Sequence, residues 1–579
     1  MLASYRVGIR PHKHLFDVVL EIDGCEAEAI ELWLPSWTPG SYLIREYARH
    51  VQDLRAANES GQQLAIERVA EDAWRLTPAG HSLVRVSYSV YAFDLTVRTS
   101  HLDESHAYFN GAALFLTCDA LQAQPATLAL DLPLDWRVET PLPQEGLRYR
   151  AASYDELCDS PVHCSPTDRA VDFLAAGVPH RLVMWGAGNE DLPALVKEIT
   201  ALVEQAARLF GGLPYRRYLF LALLSDRGRG GLEHRDGATL LSPRFGFRPD
   251  RARQEFLLLV AHELFHAWVV KRLRPRALLP YRYRAENFTK LLWFFEGFTS
   301  YYETLLTARA GLLSQARFLE LWGERMTQLA RTPGRWVQSL EEASLTAWTK
   351  YYRPDENSAN SSVSYYLKGS LVALALEGEL RGRGHSLDGL MQRLWARHGV
   401  DESGLPEEGL QREVAAWVGE ALPNVFAAVS GHADPDYASL AAVGLVVRAR
   451  PREGVADKGG IKPRAERDPG GYLGLSFKAD RLTVSAVYAD GPAERAGLCP
   501  EDEIVAADGY RLSPETCPSR LEQQPPHTQV TLTFFRREEL RSTVLTLGER
   551  PLDTYWIEKL DGASEAQRHA YREWLGSEW

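Results

Sequence analysis

The chain has 579 residues, of which 45% are hydrophobic and 25% charged, enough apolar residues for about four domains of ordinary size. The formal net charge of −12 and the pI near 5.8 argue against a nucleic-acid binder, because the arginines are scattered and form no basic block. No stretch approaches about 18 apolar residues and the N-terminus lacks a signal-peptide core, so we expect a cytoplasmic protein with no membrane partner. An upstream start codon would alter that expected location.

The first part of the chain, residues 1–182, is predicted to be an all-β domain. Runs such as residues 16–20 and 83–88 alternate apolar and polar residues and are separated by Pro, Gly and Asp turns. A period of two is typical of half-buried strands. Within this domain, residues 34–45 read LPSWTPGSYLIR, which indicates a strand that ends in a Pro-Gly turn.

A second region, residues 183–436, mixes helical periods with a few strands. The apolar run 218–224 predicts a buried strand, followed by a glycine-rich loop that contains Gly230, Gly231 and Glu233. Glycines let the backbone approach a ligand closely, and a carboxylate beside them could hold the ammonium group of a substrate. From the residues alone, a turn with a solvated glutamate remains the alternative.

The strongest motif of the chain is His262-Glu263-Leu264-Phe265-His266. It lies in an apolar stretch, residues 255–270, that predicts a buried helix. Two histidines four residues apart share one helical face, and Glu263 between them could act as the general base on a metal-bound water. The pattern therefore indicates a zinc hydrolase, with a chance pair of core histidines as the alternative.

A catalytic zinc keeps three protein ligands, so the motif requires one more donor. Glu296 is the candidate, because the bulky apolar residues around it (WFFEGF) would bury its carboxylate. Glu303 follows seven residues later on the same helical face and could orient a ligand imidazole through its ring N–H. The alternatives are a solvent-edge position for Glu296 and a solvated surface position for Glu303.

The helical pattern continues at residues 201–210, 366–380 and 413–418. After residue 436 the character changes to a strand at 444–447, a loop or linker at 451–471, and a tail at 551–579. The tail holds Trp556, Trp574 and Trp579, so we expect it to pack against the body. The six cysteines contain no CxxC pair, which favours reduced thiols, and Cys158, His163 and Cys164 lack the further ligands that a second metal site needs.

Together, HELFHAW and WFFEGFTSYYE resemble the glutamate-zincin aminopeptidases, and specifically the PDZ-containing glycyl aminopeptidase family of zinc metallopeptidases. The resemblance covers nearly the whole chain, and LPSWTPGSYLIR is similar to that family's signature. It implies a multidomain α+β protein with a thermolysin-like catalytic domain and one zinc ion, held by His262, His266 and Glu296. The implied substrates are peptides with a free N-terminus, beginning with a small residue, Gly or Ala.

The same resemblance assigns two further roles. Tyr365-Tyr366-Leu367-Lys368-Gly369 is similar to the Tyr-x-Lys-Gly element of these aminopeptidases, which makes Tyr366 the catalytic tyrosine and Tyr365 a neighbour. From periodicity alone the two tyrosines only begin a helix. Related enzymes carry Gly-x-Met-Glu-Asn around the amine-binding glutamate, which corresponds to Glu233, whereas this chain has Leu232 and His234 beside it. Gly230 and Gly231 are implied as backbone contacts of the substrate.

Residues 437–550 resemble a PDZ domain of the bacterial protease type, on the segments 472–475 (YLGL) and 493–504 (AERAGLCPEDEI). Such domains bind a peptide C-terminus on loop N–H groups. Glu501 stands where a turn glycine is usual, which leaves a packing or regulatory role as the alternative. For the whole chain, an aminopeptidase is favoured over a zinc endopeptidase and over a PDZ peptide-binding scaffold with an inactive peptidase region.

Overall fold

The computed structural model describes residues 1–454, 456–463, 470–479 and 481–579. The chain forms two compact units. Their ranges are residues 1–288, 302–312 and 392–406 for the first and residues 289–301, 313–391 and 407–579 for the second.

An eight-stranded sheet dominates the start of the first unit. Its order is Gln144–Glu145, Arg148–Ala151, Ala126–Asp131, Leu2–Arg10, Leu15–Asp23, Leu83–Tyr91, Val51–Asn58, Gln63–Leu64. A three-stranded sheet (Ile30–Trp33, Ala73–Leu76, Ile66–Arg68) and a four-stranded sheet (Arg137–Glu139, Val162–Ser165, Ala107–Phe109, His101–Leu102) complete the region. Strand Leu15–Asp23 buries every second residue, as its period of two predicts. The β-rich N-terminal fold is confirmed, and the short helix Tyr154–Cys158 is an addition to it.

A five-stranded sheet follows, in the order Arg169–Ala175, Val178–Trp185, Tyr218–Ser225, Gly237–Pro243, Gly230–His234. The buried strand predicted at 218–224 is confirmed. The glycine-rich loop predicted at Gly230 is wrong, because Gly230–His234 is itself the edge strand, antiparallel to Gly237–Pro243. Glycines are tolerated in a strand where another group approaches closely.

Two helices of the first unit matter for the site. Leu192–Phe210 begins at Asp191, whose side chain accepts a hydrogen bond from the backbone N–H of Ala194, and it contains the predicted segment 201–210. The predicted helix 255–270 is observed as Asp250–Phe265, with His266 as its C-cap. The helix ends there because the following backbone turns back, with Val270 at a positive φ of 100°.

The second unit begins as a helical layer. Its helices are Leu292–Phe295, Gly297–Arg309, Gln315–Ala330, Leu340–Leu345, Ser358–Ser361, Tyr365–Arg381, Leu387–Leu394, Gly409–Val418, Pro423–Ser430. Two of them, Gly297–Arg309 and Leu387–Leu394, continue into the first unit. The Ser364 side chain caps Tyr365–Arg381 by accepting a hydrogen bond from the Leu367 N–H at 3.2 Å. The helices predicted at 366–380 and 413–418 are confirmed.

The C-terminal part is a PDZ fold with two flanking strands. The PDZ elements are Leu475–Phe477, Val484–Val487, Pro492–Arg495, Glu503–Ala507, Tyr510–Arg511, Pro518–Glu522, Gln529–Arg536, Glu539–Thr546. Strand Leu445–Arg450, predicted at 444–447, pairs with Thr554–Lys559 from the tail. Trp574, in the last helix Glu565–Leu575, is 1% exposed and donates a hydrogen bond to the Tyr301 hydroxyl at 2.7 Å, so the tail packs back as expected.

The loop predicted at 451–471 lies partly outside the described residues, which omit 455 and 464–469. The domain boundaries at 182, 436 and 550 stay predictions. All six cysteines are described and are free thiols. Within the described part of the chain, no helix has both the length and the apolar character needed to cross a membrane.

Candidate metal centre and active site

His262 is held by a carboxylate of the helix Gly297–Arg309. Its Nδ1 atom lies 2.7 Å from Oε2 of Glu303. A carboxylate accepts, so Nδ1 carries the hydrogen and Nε2 is the ring nitrogen suited to bind a metal. The contact predicted between Glu303 and a ligand imidazole is therefore present.

His266 is fixed in the same tautomer by the backbone. Its Nδ1 lies 2.7 Å from the carbonyl oxygen of Val269, which can only accept a hydrogen bond. The ring is 1% exposed, and its centroid lies 4.8 Å from that of His262 at an interplanar angle of 83°. Both imidazoles thus present Nε2 as a metal donor.

Glu296 is the candidate for the third donor. It lies between Leu292–Phe295 and Gly297–Arg309, is 2% exposed, and has a ligand atom within 4.8 Å of those of His262 and His266. Two neutral imidazoles and one carboxylate are a donor set that zinc takes in hydrolases, with a fourth position open to solvent or substrate. The residues therefore fit a catalytic zinc ion.

Two further carboxylates lie beside His266. Glu263 is 4% exposed and Glu233 is 3% exposed, and their oxygens fall within 4.8 Å of a His266 ring nitrogen and of each other. Gly231 makes this approach possible, because a Cβ atom at that position would overlap the Glu263 carboxylate. Oε1 of Glu233 is buried and has no hydrogen-bond partner among the described residues. A buried carboxylate oxygen of this kind is suited to bind a cation from outside the chain.

His234, one of the departures from the family pattern, belongs to a polar network behind Glu233. Its Nε2 atom lies 3.1 Å from the Thr239 hydroxyl, and its Nδ1 lies 3.6 Å from Asp159, which also accepts a hydrogen bond from Lys271 at 2.6 Å. Burial opposes the charge on Asp159, but Lys271 and His234 hold its pKa well below the usual range. Burial also opposes the charge on Lys271, yet Asp159 and Glu233 raise its pKa. His234 is therefore a buried member of this polar network and makes no contact at the surface.

Tyr366 belongs to a group of tyrosines around Glu296. Its hydroxyl lies 3.1 Å from that of Tyr352, and Tyr365 donates a longer hydrogen bond of 3.5 Å to the same hydroxyl. Tyr365 has no exposed surface, whereas Tyr366 is partly exposed. Burial, and then the charge of Glu296, raise the pKa of Tyr366 well above its ordinary value. Its phenol thus remains a hydrogen-bond donor throughout the neutral range.

Several residues of this site were not predicted from the sequence: Gly40, Arg98, Asp159, Lys271, Tyr352. Gly40 contacts Glu233, Arg98 contacts Gly231, and the rest take part in the networks above. The one available signal was the position of Gly40 inside the LPSWTPGSYLIR signature. The other four carry no local pattern.

A second group of possible metal donors, His101, Asp103 and His106, is connected by hydrogen bonds. His101 Nδ1 lies 2.7 Å from His106 Nε2, and Asp103 accepts a hydrogen bond from the backbone N–H of His106. His163, from the cluster that the sequence left without enough ligands, lies 3.0 Å from Asp168. These contacts use only some of the polar atoms: His106 Nδ1, His163 Nδ1 and Asp168 Oδ2 are buried with no hydrogen-bond partner among the described residues.

This arrangement is typical of a metallopeptidase: His262 and His266 present Nε2 at one helix end, Glu296 is a buried carboxylate near them, and Glu263 lies between the histidines in sequence. Family models agree: they match a peptidase M61 N-terminal domain at residues 4–166, M61 glycyl aminopeptidase at 255–372 and a PDZ domain at 483–536. The chain is also similar to the crystal structure of an aminopeptidase N family protein from Idiomarina loihiensis. That match has 32% identity and a TM-score of 0.93, and it covers 99% of this chain and 100% of the other. The chain belongs to the M61 glycyl aminopeptidase family and is a metallo-aminopeptidase.

More distant likenesses include an M1 zinc metallopeptidase from Deinococcus radiodurans, at 15% identity and a TM-score of 0.47, covering 75% of this chain and 95% of the other. A mutant of that enzyme bound to a Tyr-Ser-Ala substrate matches with the same values. Both likenesses are too weak to transfer any function to this chain. A search of curated protein sequences finds no significant match.

Proposed function

We propose that this protein is a zinc aminopeptidase that removes a small N-terminal residue, Gly or Ala, from peptides. The observation that carries the proposal is the buried Glu233, whose unpartnered Oε1 lies beside Glu263 and His266. The ammonium group of a substrate would neutralise this carboxylate and place the first peptide bond next to the general base.

One zinc ion per chain would be held by His262, His266 and Glu296, with Glu303 orienting His262. When bound, zinc polarises the scissile carbonyl and makes water acidic enough to ionise near neutral pH. The hydrogen bond from Nδ1 of His262 to Glu303 would leave Nε2 as the nitrogen that holds the ion, and it would raise the basicity of the ring.

The protein's own groups would divide the remaining work. Glu263 takes the proton from the attacking water and returns it to the leaving amine, so it must lie within hydrogen-bond reach of both. Tyr366 donates its phenolic hydrogen to the developing oxyanion, and its raised pKa keeps that hydrogen in place. Glu233 binds the substrate ammonium group, while Gly230 and Gly231 offer main-chain contacts along the edge strand.

An aminopeptidase is favoured over an endopeptidase because the Glu233 side of Glu263 is closed. The turn at Gly40 contacts the Glu233 carboxylate. This contact leaves little room for a substrate that extends further on the N-terminal side of the residue bound there. The same crowding supports a preference for Gly or Ala at that residue.

The PDZ fold supports a second peptide contact. Strand Leu475–Phe477 begins at the last residue of the YLGL segment and pairs with Val484–Val487. In such domains a peptide adds beside this strand and its carboxylate is bound by the preceding loop, so we propose a peptide C-terminus as the ligand. The cytoplasmic location expected from the sequence stays a prediction.

The test compares release of free amino acids from Gly- and Ala-initiated peptides with free and acetylated N-termini, using zinc-loaded protein. We expect cleavage of the free peptides alone, and none by Glu263→Gln, whose metal content should match that of the unmodified protein. Equal cleavage of acetylated peptides would replace the aminopeptidase by an endopeptidase. Absence of zinc binding would leave a PDZ scaffold.

A further inference from the structure

Arg98 lies beside the edge strand, at Gly230 and Gly231. Its Nη2 atom donates a hydrogen bond to the carbonyl oxygen of Gly231 at 3.1 Å. A Cβ atom on Gly230 would lie 3.5 Å from Nη1 of the same side chain. All these residues belong to the first compact unit.

The guanidinium of Arg98 has donors that the chain does not use. Its Nε is buried and has no hydrogen-bond partner, and no carboxylate of the described residues pairs with this arginine. A guanidinium offers five N–H donors in a planar fork that matches a carboxylate. A partly buried arginine without an anion is costly, so the arrangement favours an anionic ligand from outside.

The site also defines the direction in which a substrate runs. The substrate's ammonium group lies at Glu233, and the substrate's scissile bond must lie at Glu263, whose carboxylate contacts Gly231. The chain beyond the scissile bond then continues towards Gly230 and Arg98. The substrate therefore lies antiparallel to Gly230–His234, the outermost strand of the five-stranded sheet.

The distance available suits a very short peptide. From residue 233 to residue 231 a strand advances about 7 Å, and an extended dipeptide spans about 7 Å as well. We propose that Arg98 binds the free C-terminal carboxylate of dipeptide and tripeptide substrates, so that this enzyme recognises both ends of its substrate. The proposal rests on the aminopeptidase function proposed above.

Arg98 would otherwise be a structural clamp that holds the edge strand through Gly231. The two roles differ in one respect. A clamp affects all substrates equally, whereas a carboxylate-binding residue distinguishes a free acid from the corresponding amide.

The experiment measures kcat/KM for Gly-Ala and for Gly-Ala amide with the zinc-loaded full-length protein. We expect the unmodified enzyme to prefer the acid by about 10- to 100-fold, the range of a charge-assisted hydrogen-bonded pair. Arg98→Gln should lower hydrolysis of the acid to the level of the amide and leave the amide within about twofold. Arg98→Lys, which keeps the charge but loses the fork, should retain part of the preference. Arg137→Gln, at an exposed arginine, is the matched control and should behave as the unmodified enzyme.

An unchanged acid preference in Arg98→Gln would overturn the proposal, and so would an equal loss on both substrates, which would assign Arg98 to the clamp. If Arg98→Gln fails to fold, Arg98→Lys and a length series from Gly-Ala to a glycyl pentapeptide decide: a flat length dependence overturns the proposal. Failure of the unmodified enzyme to cleave either compound would instead overturn the aminopeptidase itself. The two failures are thus distinguishable.

Discussion

Gly40 is in direct contact with the Glu233 carboxylate. A Cβ atom at Gly40 would lie 2.5 Å from Oε1 of Glu233, and the backbone there has a positive φ of 91°. The Pro-Gly turn of the N-terminal region therefore contacts the carboxylate to which we assign the substrate amine. This contact gives the LPSWTPGSYLIR signature a physical reason that its local turn geometry alone does not provide.

Replacing Gly40 by alanine should displace the Glu233 carboxylate. We expect kcat/KM for peptides with a free N-terminus to fall by about 10- to 100-fold, mainly through KM, because ammonium binding is what the displaced group supplies. Steady-state kinetics on Gly-Ala peptides measure this. Gly61→Ala is the matched control, since Gly61 also has a positive φ of 83° but no atom within 4 Å of its would-be Cβ. Equal losses in the two variants would attribute the effect to backbone strain.

Removing the carboxylate that holds His262 should weaken metal binding. Glu303→Ala leaves Nδ1 of His262 without its 2.7 Å partner, and such losses typically reduce metal affinity by about 10- to 100-fold. Glu303→Gln keeps an acceptor for Nδ1 and should have a smaller effect. Competition with a chromophoric zinc chelator gives both affinities. Unchanged affinity in Glu303→Ala would contradict the assigned role.

The two adjacent tyrosines should differ in their effect on the chemical step. Tyr366→Phe should lower kcat by about 10²- to 10³-fold, because the oxyanion loses a positioned donor. Tyr365→Phe removes the same atom from a side chain with no exposed surface and should stay within a few-fold of the unmodified enzyme. Both variants are compared by kcat at saturating substrate. A larger loss for Tyr365→Phe would reverse the assignment.

Lys368, in the same motif, should make stability depend on pH. Burial, opposed by Asp434 and assisted by Arg335, lowers the pKa of Lys368 from 10.5 to about 8. Between these values the unfolded chain holds a proton that the folded chain lacks. The charged Lys368 therefore destabilises the folded state fully below about pH 8, and this destabilisation disappears as the pH rises from about 8 to 10.5.

The isosteric variant Lys368→Met removes that titration. We expect its thermal unfolding midpoint to exceed that of the unmodified protein at pH 7, with the difference shrinking towards pH 10. Scanning calorimetry at matched ionic strength and zinc concentration measures the two series. A difference that stays constant with pH would show that Lys368 does not titrate in this range.

The sequence by itself determined what depends on local spacing. The helix of His262 and His266, the placement of Glu303 seven residues after Glu296, the buried strand 218–224 and the period-two strands all follow from side-chain periodicity. Even here the predicted end of the first helix, Val270, lies five residues beyond the observed end at Phe265, because the sequence stays hydrophobic past the point where His266 contacts the Val269 carbonyl.

Only the tertiary structure decided the relationships between distant segments. Gly230–His234 is an edge strand because it pairs with Gly237–Pro243. Gly40 contacts Glu233, which lies almost 200 residues later in the chain. Arg98 donates a hydrogen bond to the carbonyl oxygen of Gly231. His234 likewise joined Asp159 through a fold-dependent network. Periodicity reports which side of an element is buried, but not which element covers it, and that choice depends on the packing of the whole unit.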